Sequence, residues 1–285
     1  MCRFALYLGK EISIRSLITD PANSIIHQSF QSHEREEPLN GDGFGLAWYV
    51  PSLSPEPALF RSTTPAWSNV NLFHLARVTR TNCLLAHVRA ATSGLPVAQL
   101  NCHPFVWGRF AFMHNGDIGG FRSIKRRLRR RLSEESYHLI QGSTDSEHIF
   151  ALFAEHYRQG PGQGIESITQ ALLAAIDSVN ELRRQAGLEE PCRLNLAVSD
   201  GNCAVVTRWT SQETANTLYY HFGRRYYCED GVCQMQPSSE SGPSAVIVSS
   251  ERLNEDDPNW RKVPVNHMVL VHPGLEVEVR GIEVA

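Results

Sequence analysis

The chain has no long apolar run. Its longest uninterrupted ones, Ile149 to Ala154 and Ala171 to Ile176, fall far short of the ~20 residues a membrane span needs. The N-terminal apolar stretch Phe4 to Leu8 is shorter than the ~7–15 residue core of a secretory signal. Both absences predict a cytoplasmic protein with no membrane partner. Charge of one sign is also missing: 27 basic against 30 acidic side chains leave a net charge of −3. That balance argues against a nucleic-acid or membrane-surface protein. Lysine is scarce, with only Lys10, Lys125 and Lys262, a bias consistent with a GC-rich genome rather than with a particular chemistry. No segment repeats at a fixed period, so a solenoid or propeller is not expected.

Seven cysteines (Cys2, Cys83, Cys102, Cys192, Cys203, Cys228, Cys233) form an odd set without the spacing of a disulfide framework. Most are expected to be buried thiols acting as small hydrophobes. Cys228 and Cys233 have four residues between them, not the two of a zinc knuckle, and only His221 is near, so no metal site is expected.

What is present reads as an ordinary folded chain, with 42% hydrophobic and 20% charged residues in 285. Two stretches look like loops: Pro51 to Pro65, with four prolines, and Gln236 to Ser244. Neither resembles an interdomain linker, so residues 2–285 are expected to form one domain. Strand signals fall at Arg3–Leu8, Phe44–Val50, Cys83–Arg89, Arg109–His114, Arg193–Val198, Cys203–Trp209, Leu218–Phe222, Ala245–Val248, Met268–Val271 and Glu276–Arg280. Ser199-Asp200-Gly201-Asn202 joins two of them as a tight hairpin. Helical patterns occupy Val70–Thr79, Gly120–Leu132, Asp145–Arg158 and Gln163–Ala186. The last carries Ile165, Ile168, Leu172, Ala175, Val179 and Leu182 at spacings of three and four. Many strands without regular strand–helix alternation predict an α+β fold with layered sheets.

Four places carry candidate chemistry. If Met1 is removed, Cys2 holds a thiol and the chain's α-amine on one residue. An α-amine titrates near 7.7–8.0 against about 10.4 for lysine, which leaves roughly 300-fold more free base near neutrality. Such a nucleophile carries its own base and needs no histidine. The plainer reading is that Cys2 merely begins a buried strand. In Leu84 to Gly94, alternation puts Leu85, His87 and Arg89 on one face. An arginine ending a mostly apolar strand needs an anion, either a substrate carboxylate or a carboxylate of this chain. Asn115-Gly116 after an apolar run would normally turn a hairpin, but the next residues read as helical. The alternative is an oxyanion site made from the Asn amide and the Gly backbone N–H. Thr144-Asp145-Ser146-Glu147 opens a helix as a capping box, leaving Asp145 free to meet a substrate ammonium. Asn40 to Gly45 reads as a tight turn entering a strand. In Asn101-Cys102-His103-Pro104 the histidine reads as a structural hydrogen-bonder.

Taken in order, Cys2, Asn40–Gly45, His87 to Thr92, Asn101 to Pro104, His114-Asn115-Gly116 and Thr144 to Glu147 resemble the class II glutamine amidotransferase domain. The resemblance is strongest to its free-standing branch, which includes γ-glutamyl hydrolases and a glutathione-degrading amidotransferase subunit. Val246 to Leu253, Trp260 and Val263-Pro264 extend it over nearly the whole chain, apart from Arg224 to Gly242. Ser93 stands where amidotransferases with a synthase domain commonly carry histidine. The resemblance implies a four-layer αββα N-terminal-nucleophile hydrolase fold with two stacked, mainly antiparallel sheets. It also implies Cys2 as nucleophile and an oxyanion hole from Asn115 and Gly116. Arg89 and Thr92 would hold a substrate α-carboxylate, and Asp145 its α-ammonium. No metal or organic cofactor is implied. The length leaves no room for a synthase domain, so a stand-alone γ-glutamyl amide hydrolase is expected. The alternatives are a glutaminase subunit serving a separate peptidase or synthase, and a non-catalytic binding protein that retains the fold.

Lys125 to Arg131 is a run of basic residues broken only by Leu128. It reads either as a solvated helix face or as a patch that attracts an anionic substrate.

Overall fold

The computed structural model describes residues 2–34, 39–91, 96–160, 162–229, 232–237 and 242–284. The strands are β1 (Arg3–Ser13), β2 (Phe44–Trp48), β3 (Ala58–Ser62), β4 (Arg80–Val88), β5 (Phe105–Trp107), β6 (Phe110–Asp117), β7 (Arg193–Ser199) and β8 (Ala204–Thr210). They continue with β9 (Tyr219–Gly223), β10 (Arg225–Glu229), β11 (Val232–Gln236), β12 (Ala245–Ser249), β13 (Arg261–Lys262), β14 (His267–Val271) and β15 (Val277–Gly281). The α-helices are α1 (Arg15–Ile18), α2 (Ile25–Phe30), α3 (Val70–Val78), α4 (Phe121–Arg129), α5 (Glu134–Tyr137), α6 (Asp145–Gln159) and α7 (Ile165–Gln185).

Among these residues two antiparallel sheets carry the fold. One has the order β13-β9-β12-β1-β4-β2-β3, and the other β15-β14-β8-β7-β6-β5. Three apolar clusters follow from period-2 alternation, because successive side chains of a strand point to opposite faces. Phe4, Leu6 and Leu85 meet Ala111, Met113, Ala197 and Val206 between the sheets. Ala5, Tyr7, Leu84 and Ala86 face outward and are covered by Leu17, Ile18, Ile25 and Leu72 of the first three helices. Phe112, Leu194 and Leu196 face the other way, under Ile124, Leu128, Phe153, Leu172 and Val179. Strands covered on both faces must be apolar throughout, which is why β1 and β4 read as nearly continuous hydrophobic runs. The result is helices, sheet, sheet, helices, the expected four layers.

Several local expectations need correction. Pro51 to Pro65 is not all loop: Ala58–Ser62 pairs with β2 in the register Leu46↔Phe60. It is an edge strand, mostly half-exposed, and so lacks a buried apolar run to announce it. In the unmatched stretch, β10 and β11 form a two-stranded hairpin. Residues 238–241 of the expected Gln236–Ser244 loop lie outside the described ones. Cys228 and Cys233, expected to be thiols, are directly opposite each other across that hairpin and joined as a disulfide, with Cα atoms 4.0 Å apart. Their spacing carries no such signal, because only the hairpin register brings them together. His221, weighed beside them as a ligand, instead pairs with Asp257 at 2.8 Å.

All seven cysteines are among the described residues, and the other five are free. Alkylation of denatured, unreduced protein should therefore label five thiols per chain, rising to seven after reduction. Seven labelled thiols before reduction would show that the hairpin pairing is wrong.

Candidate active site

Antiparallel pairing sets the first contact. β1 runs against β4 with Arg3↔Val88, so the residue before Arg3 comes opposite the residue after Val88. That brings Cys2 to Arg89. The Cys2 thiol, half-buried, lies 3.6 Å from the carbonyl oxygen of Ala90. On the other flank of β4, Arg89 N–H donates to Gly43 at 2.8 Å, and Asp42 N–H donates to Arg89 at 3.0 Å. The Asp42 carboxylate then accepts the Ala91 N–H at 2.8 Å. The Asn40–Gly45 turn is thus a clamp on the end of β4. Gly43 has φ +107°, and a Cβ there would come within 2.7 Å of both Cys102 Sγ and the Ser62 carbonyl oxygen.

Arg89 is 3% exposed. Its guanidinium makes one long hydrogen bond, Nη1 to the Asp42 carbonyl oxygen at 3.4 Å, and has no carboxylate within ion-pair distance among the described residues. The alternative of an internal ion pair therefore finds no partner among the described residues. Thr92, expected to act beside Arg89, lies outside the described residues.

Asn115 and Gly116 are not at a hairpin turn. They sit within β6, paired as Asn115↔Asn195 and Gly116↔Leu194. Asn115 is fully buried. Its Nδ2 donates to Ser250 Oγ at 3.3 Å, its carbonyl accepts from Asn216 Nδ2 at 3.2 Å, and its Oδ1 has no partner among the described residues. Gly116 cannot be replaced without moving the strand, because a Cβ would lie 1.8 Å from the Arg193 carbonyl oxygen.

Asp145 opens α6. Its Oδ2 accepts from Ile118 N–H at 2.9 Å and its Oδ1 from Ser146 N–H at 2.8 Å. It also lines a cavity of about 560 Å³ with Asp117, Ser143 and Glu190. Thr144 caps α6 as expected, accepting from Glu147 N–H at 3.2 Å. The reciprocal half of the capping box is absent. The Glu147 carboxylate accepts instead from Gln141 N–H at 2.9 Å and Gly142 N–H at 2.7 Å, satisfying the loop that leads into the helix.

Three buried histidines connect these pieces. His87 Nε2 donates to the His114 carbonyl at 3.1 Å, linking β4 to β6 across the sheet interface. His114 Nδ1 meets Ser146 Oγ at 2.8 Å, linking β6 to α6. His103 stacks on His87 with ring centroids 4.2 Å apart. Neither of its ring nitrogens has a hydrogen-bond partner among the described residues, so it packs rather than hydrogen-bonds, contrary to expectation. Burial pushes His87 down to about 3 and His103 well below the ordinary imidazole range. Both are neutral at physiological pH and suited to packing, not proton transfer.

One part of the site has no local signature in the sequence. Arg3 and Glu251 form an ion pair at 2.7 Å with side chains 2% and 1% exposed. Arg3 Nη1 also holds the Cys2 carbonyl at 3.0 Å. Glu251 further accepts from His33 N–H at 3.0 Å and from Ser32 Oγ. Burial would raise the Glu251 carboxyl, but Arg3, Ser32 and His33 N–H outweigh it and hold the group below its usual range. The available signal was an arginine and a glutamate each adjoining an apolar strand.

The basic run forms the outer face of α4, whose Ile124 and Leu128 face the core. Arg122, Lys125, Arg126, Arg129 and Arg130 line a groove of about 470 Å³ with Tyr137. Arg122 and Lys125 line the Asp145 cavity as well.

Residues 16–283 match the family model of the class II glutamine amidotransferases. The chain is 37% identical to the probable glutamine amidotransferase DUG3 of Saccharomyces cerevisiae, over 96% of this chain and 84% of that one. It is 26% identical to the γ-glutamyl-hercynylcysteine sulfoxide hydrolase of Mycobacterium tuberculosis H37Rv, over 95% of this chain and 93% of that one. The solved structure of a glutamine aminotransferase class-II domain protein from Silicibacter pomeroyi superposes with a TM-score of 0.68. It is 29% identical and covers 99% of this chain and 100% of that one. The chain belongs to the class II glutamine amidotransferases, and its four layers are the N-terminal-nucleophile hydrolase fold.

Removing one partner of a buried ion pair strands the other charge and typically costs about 3–5 kcal/mol. Glu251→Gln should accordingly lower unfolding free energy by roughly 3 kcal/mol in denaturant titration. A loss below about 1 kcal/mol, the range of an exposed pair, would show that the pair is not buried in solution.

Proposed function

We propose that this enzyme hydrolyses a γ-glutamyl amide, with Cys2 as nucleophile once Met1 has been removed. The reading rests chiefly on the β1–β4 register, which sets a half-buried thiol beside a buried arginine that no carboxylate neutralises among the described residues. The freed α-amine of Cys2 takes the thiol proton, and the thiolate attacks the γ-carbonyl carbon. Asn115 Nδ2 and Gly116 N–H receive the developing oxyanion; one such donor is typically worth about 3–4 kcal/mol of barrier. The α-ammonium returns the proton to the leaving amine as the C–N bond breaks, giving a γ-glutamyl thioester. Water cleaves the thioester, releasing glutamate and regenerating the thiol. Arg89, with Thr92, holds the substrate α-carboxylate through a fork that suits carboxylate geometry. Asp145 holds its α-ammonium. None of these steps calls for a metal or organic cofactor.

The two curated relatives favour different settings for this chemistry. One is named a γ-glutamyl-hercynylcysteine sulfoxide hydrolase, the other a probable glutamine amidotransferase. We take the stand-alone hydrolase as the primary reading and a subunit that passes ammonia or a peptide to a partner enzyme as the second. Among the described residues no helix is long and apolar enough to cross a membrane.

The purified chain alone should release glutamate from γ-glutamyl amides, and its intact mass should lack the initiator methionine. Cys2→Ala should abolish turnover while keeping the unfolding midpoint. Turnover by protein that retains Met1, or undiminished turnover without the sulfur, would overturn the mechanism. Glutamate release only after a second protein is added would favour the subunit reading. The shared wall of the basic groove and the Asp145 cavity supports a steering role for α4. Charge reversal at Arg126, Arg127 and Arg130 should then lower kcat/KM more at low salt than at high salt, because exposed charges are screened within ~10 Å at 0.1 M. Equal losses at both would reject steering.

A further inference from the structure

Ser250 lies where the N-terminal strand, the end of β12 and the second sheet converge. The β1–β12 ladder runs from Gly9↔Ala245 to Ala5↔Ser249. One residue further, Ser250 brackets Phe4: its N–H donates to the Phe4 carbonyl at 2.9 Å, and its Oγ accepts the Phe4 N–H at 3.0 Å. The same Oγ lies 3.3 Å from the Asn115 amide. Both side chains are fully buried. One hydroxyl thus touches the strand that begins next to Cys2 and the side chain read as an oxyanion donor.

A serine hydroxyl offers one proton and two lone pairs. The Phe4 N–H takes one lone pair, which fixes the oxygen and leaves its proton to find an acceptor. With Nδ2 turned to Ser250, that proton has no acceptor and Asn115 Oδ1 no partner among the described residues. With the amide turned over, Ser250 O–H donates to Oδ1. Both buried groups are then satisfied, and both Nδ2 protons are released for another acceptor. Buried polar groups are rarely left unpaired, so the second arrangement is the stable one when an anion is present to receive Nδ2–H.

We infer that Ser250 is a positioning residue, which holds the Asn115 amide with its nitrogen toward the developing oxyanion and in fixed spacing from Cys2. The inference rests on the proposed oxyanion role of Asn115. Ser250 never touches the substrate; it acts through Asn115, with the Phe4 N–H serving only to fix its oxygen. Its loss should therefore lower kcat and spare KM.

The experiment is a double-mutant cycle on processed enzyme, with L-glutamine and L-γ-glutamyl-p-nitroanilide as probes. Asn115→Ala should reduce kcat about 100–1,000-fold, the usual effect of losing an oxyanion donor. Ser250→Ala should reduce kcat by about 10-fold or more with KM within about 3-fold, and should add nothing in the Asn115→Ala background, because coupled residues are non-additive. Ser250→Cys, close in size and a weaker donor, should fall between serine and alanine; it carries the test if Ser250→Ala does not fold. Equal losses in both backgrounds, a change confined to KM, or a lowered unfolding midpoint with unchanged kcat would overturn the inference. Full activity of Asn115→Ala would instead overturn the oxyanion reading beneath it, so the two failures are distinguishable.

Discussion

The site depends on one buried ion pair. A chain terminus is ordinarily the least ordered part of a domain unless something ties it down. Here Arg3, one residue from the nucleophile candidate, is locked against Glu251 from the far end of the sequence, while its free Nη1 holds the Cys2 carbonyl. Taking both charges out of water is expensive, and the pair is tolerated because additional donors converge on the same carboxylate. What this arrangement supplies is position. A nucleophile whose base is its own α-amine has no neighbouring side chain to orient it, so the backbone on either side of it must be fixed instead.

Around that anchor the two sheets divide the work. The first sheet brings Cys2 and Arg89 together through register alone, since β1 and β4 are adjacent and antiparallel. The second sheet carries Asn115 and Gly116 in the interior of a strand, where ladder pairing on β7 prevents them from drifting. Contacts between the sheets then decide the relative placement of the two pairs. His87 to the His114 carbonyl and Ser250 to Asn115 are two such polar bridges. An apolar interface tolerates small slips, whereas a buried hydrogen bond does not, because losing it leaves polar groups unpaired. Keeping His87 and His103 neutral serves the same end: a protonated ring beside Arg89 would bring a second buried cation into the interface.

Legibility in the sequence followed range. β1, β4, β6, β7, β8, β12 and β14, together with α6 and α7, are covered by apolar layers, and their periodicity shows in the residues. Edge and peripheral pieces, namely β3, β5, the β10–β11 hairpin and helices α1 and α2, are short or half-exposed and leave little pattern. Arg89, Asn115 and Asp145 stood out because a charge or an Asn-Gly pair was out of place in its local run. Ser250 and Glu251 did not, since a serine and a glutamate after a strand are unremarkable until Phe4 and Arg3 arrive from 246 and 248 positions away. The disulfide escaped for the same reason in miniature, its pairing being a property of register and not of spacing.

The charge layout bears on which ligands such a site can accept. Arg89 is buried and free of carboxylates among the described residues, so an anion reaching it replaces water with a charge-assisted fork in a region of low dielectric. Asp145 is half-buried and already accepts two backbone N–H groups, which fix its carboxylate in place without exhausting its lone pairs. A ligand bearing only a carboxylate would satisfy the arginine and leave Asp145 facing an apolar or neutral group. One bearing only an amine would leave a buried guanidinium unpaired. On the proposed function a zwitterionic glutamyl head would satisfy both, and most of its binding energy would then come from the half of the substrate that does not react. That division would leave the amine half weakly constrained, which suits a scaffold whose relatives are named as a probable glutamine amidotransferase and as a γ-glutamyl-hercynylcysteine sulfoxide hydrolase. Differences in leaving-group choice would then lie in the loops and grooves around the site, while the head-binding charges stay the same.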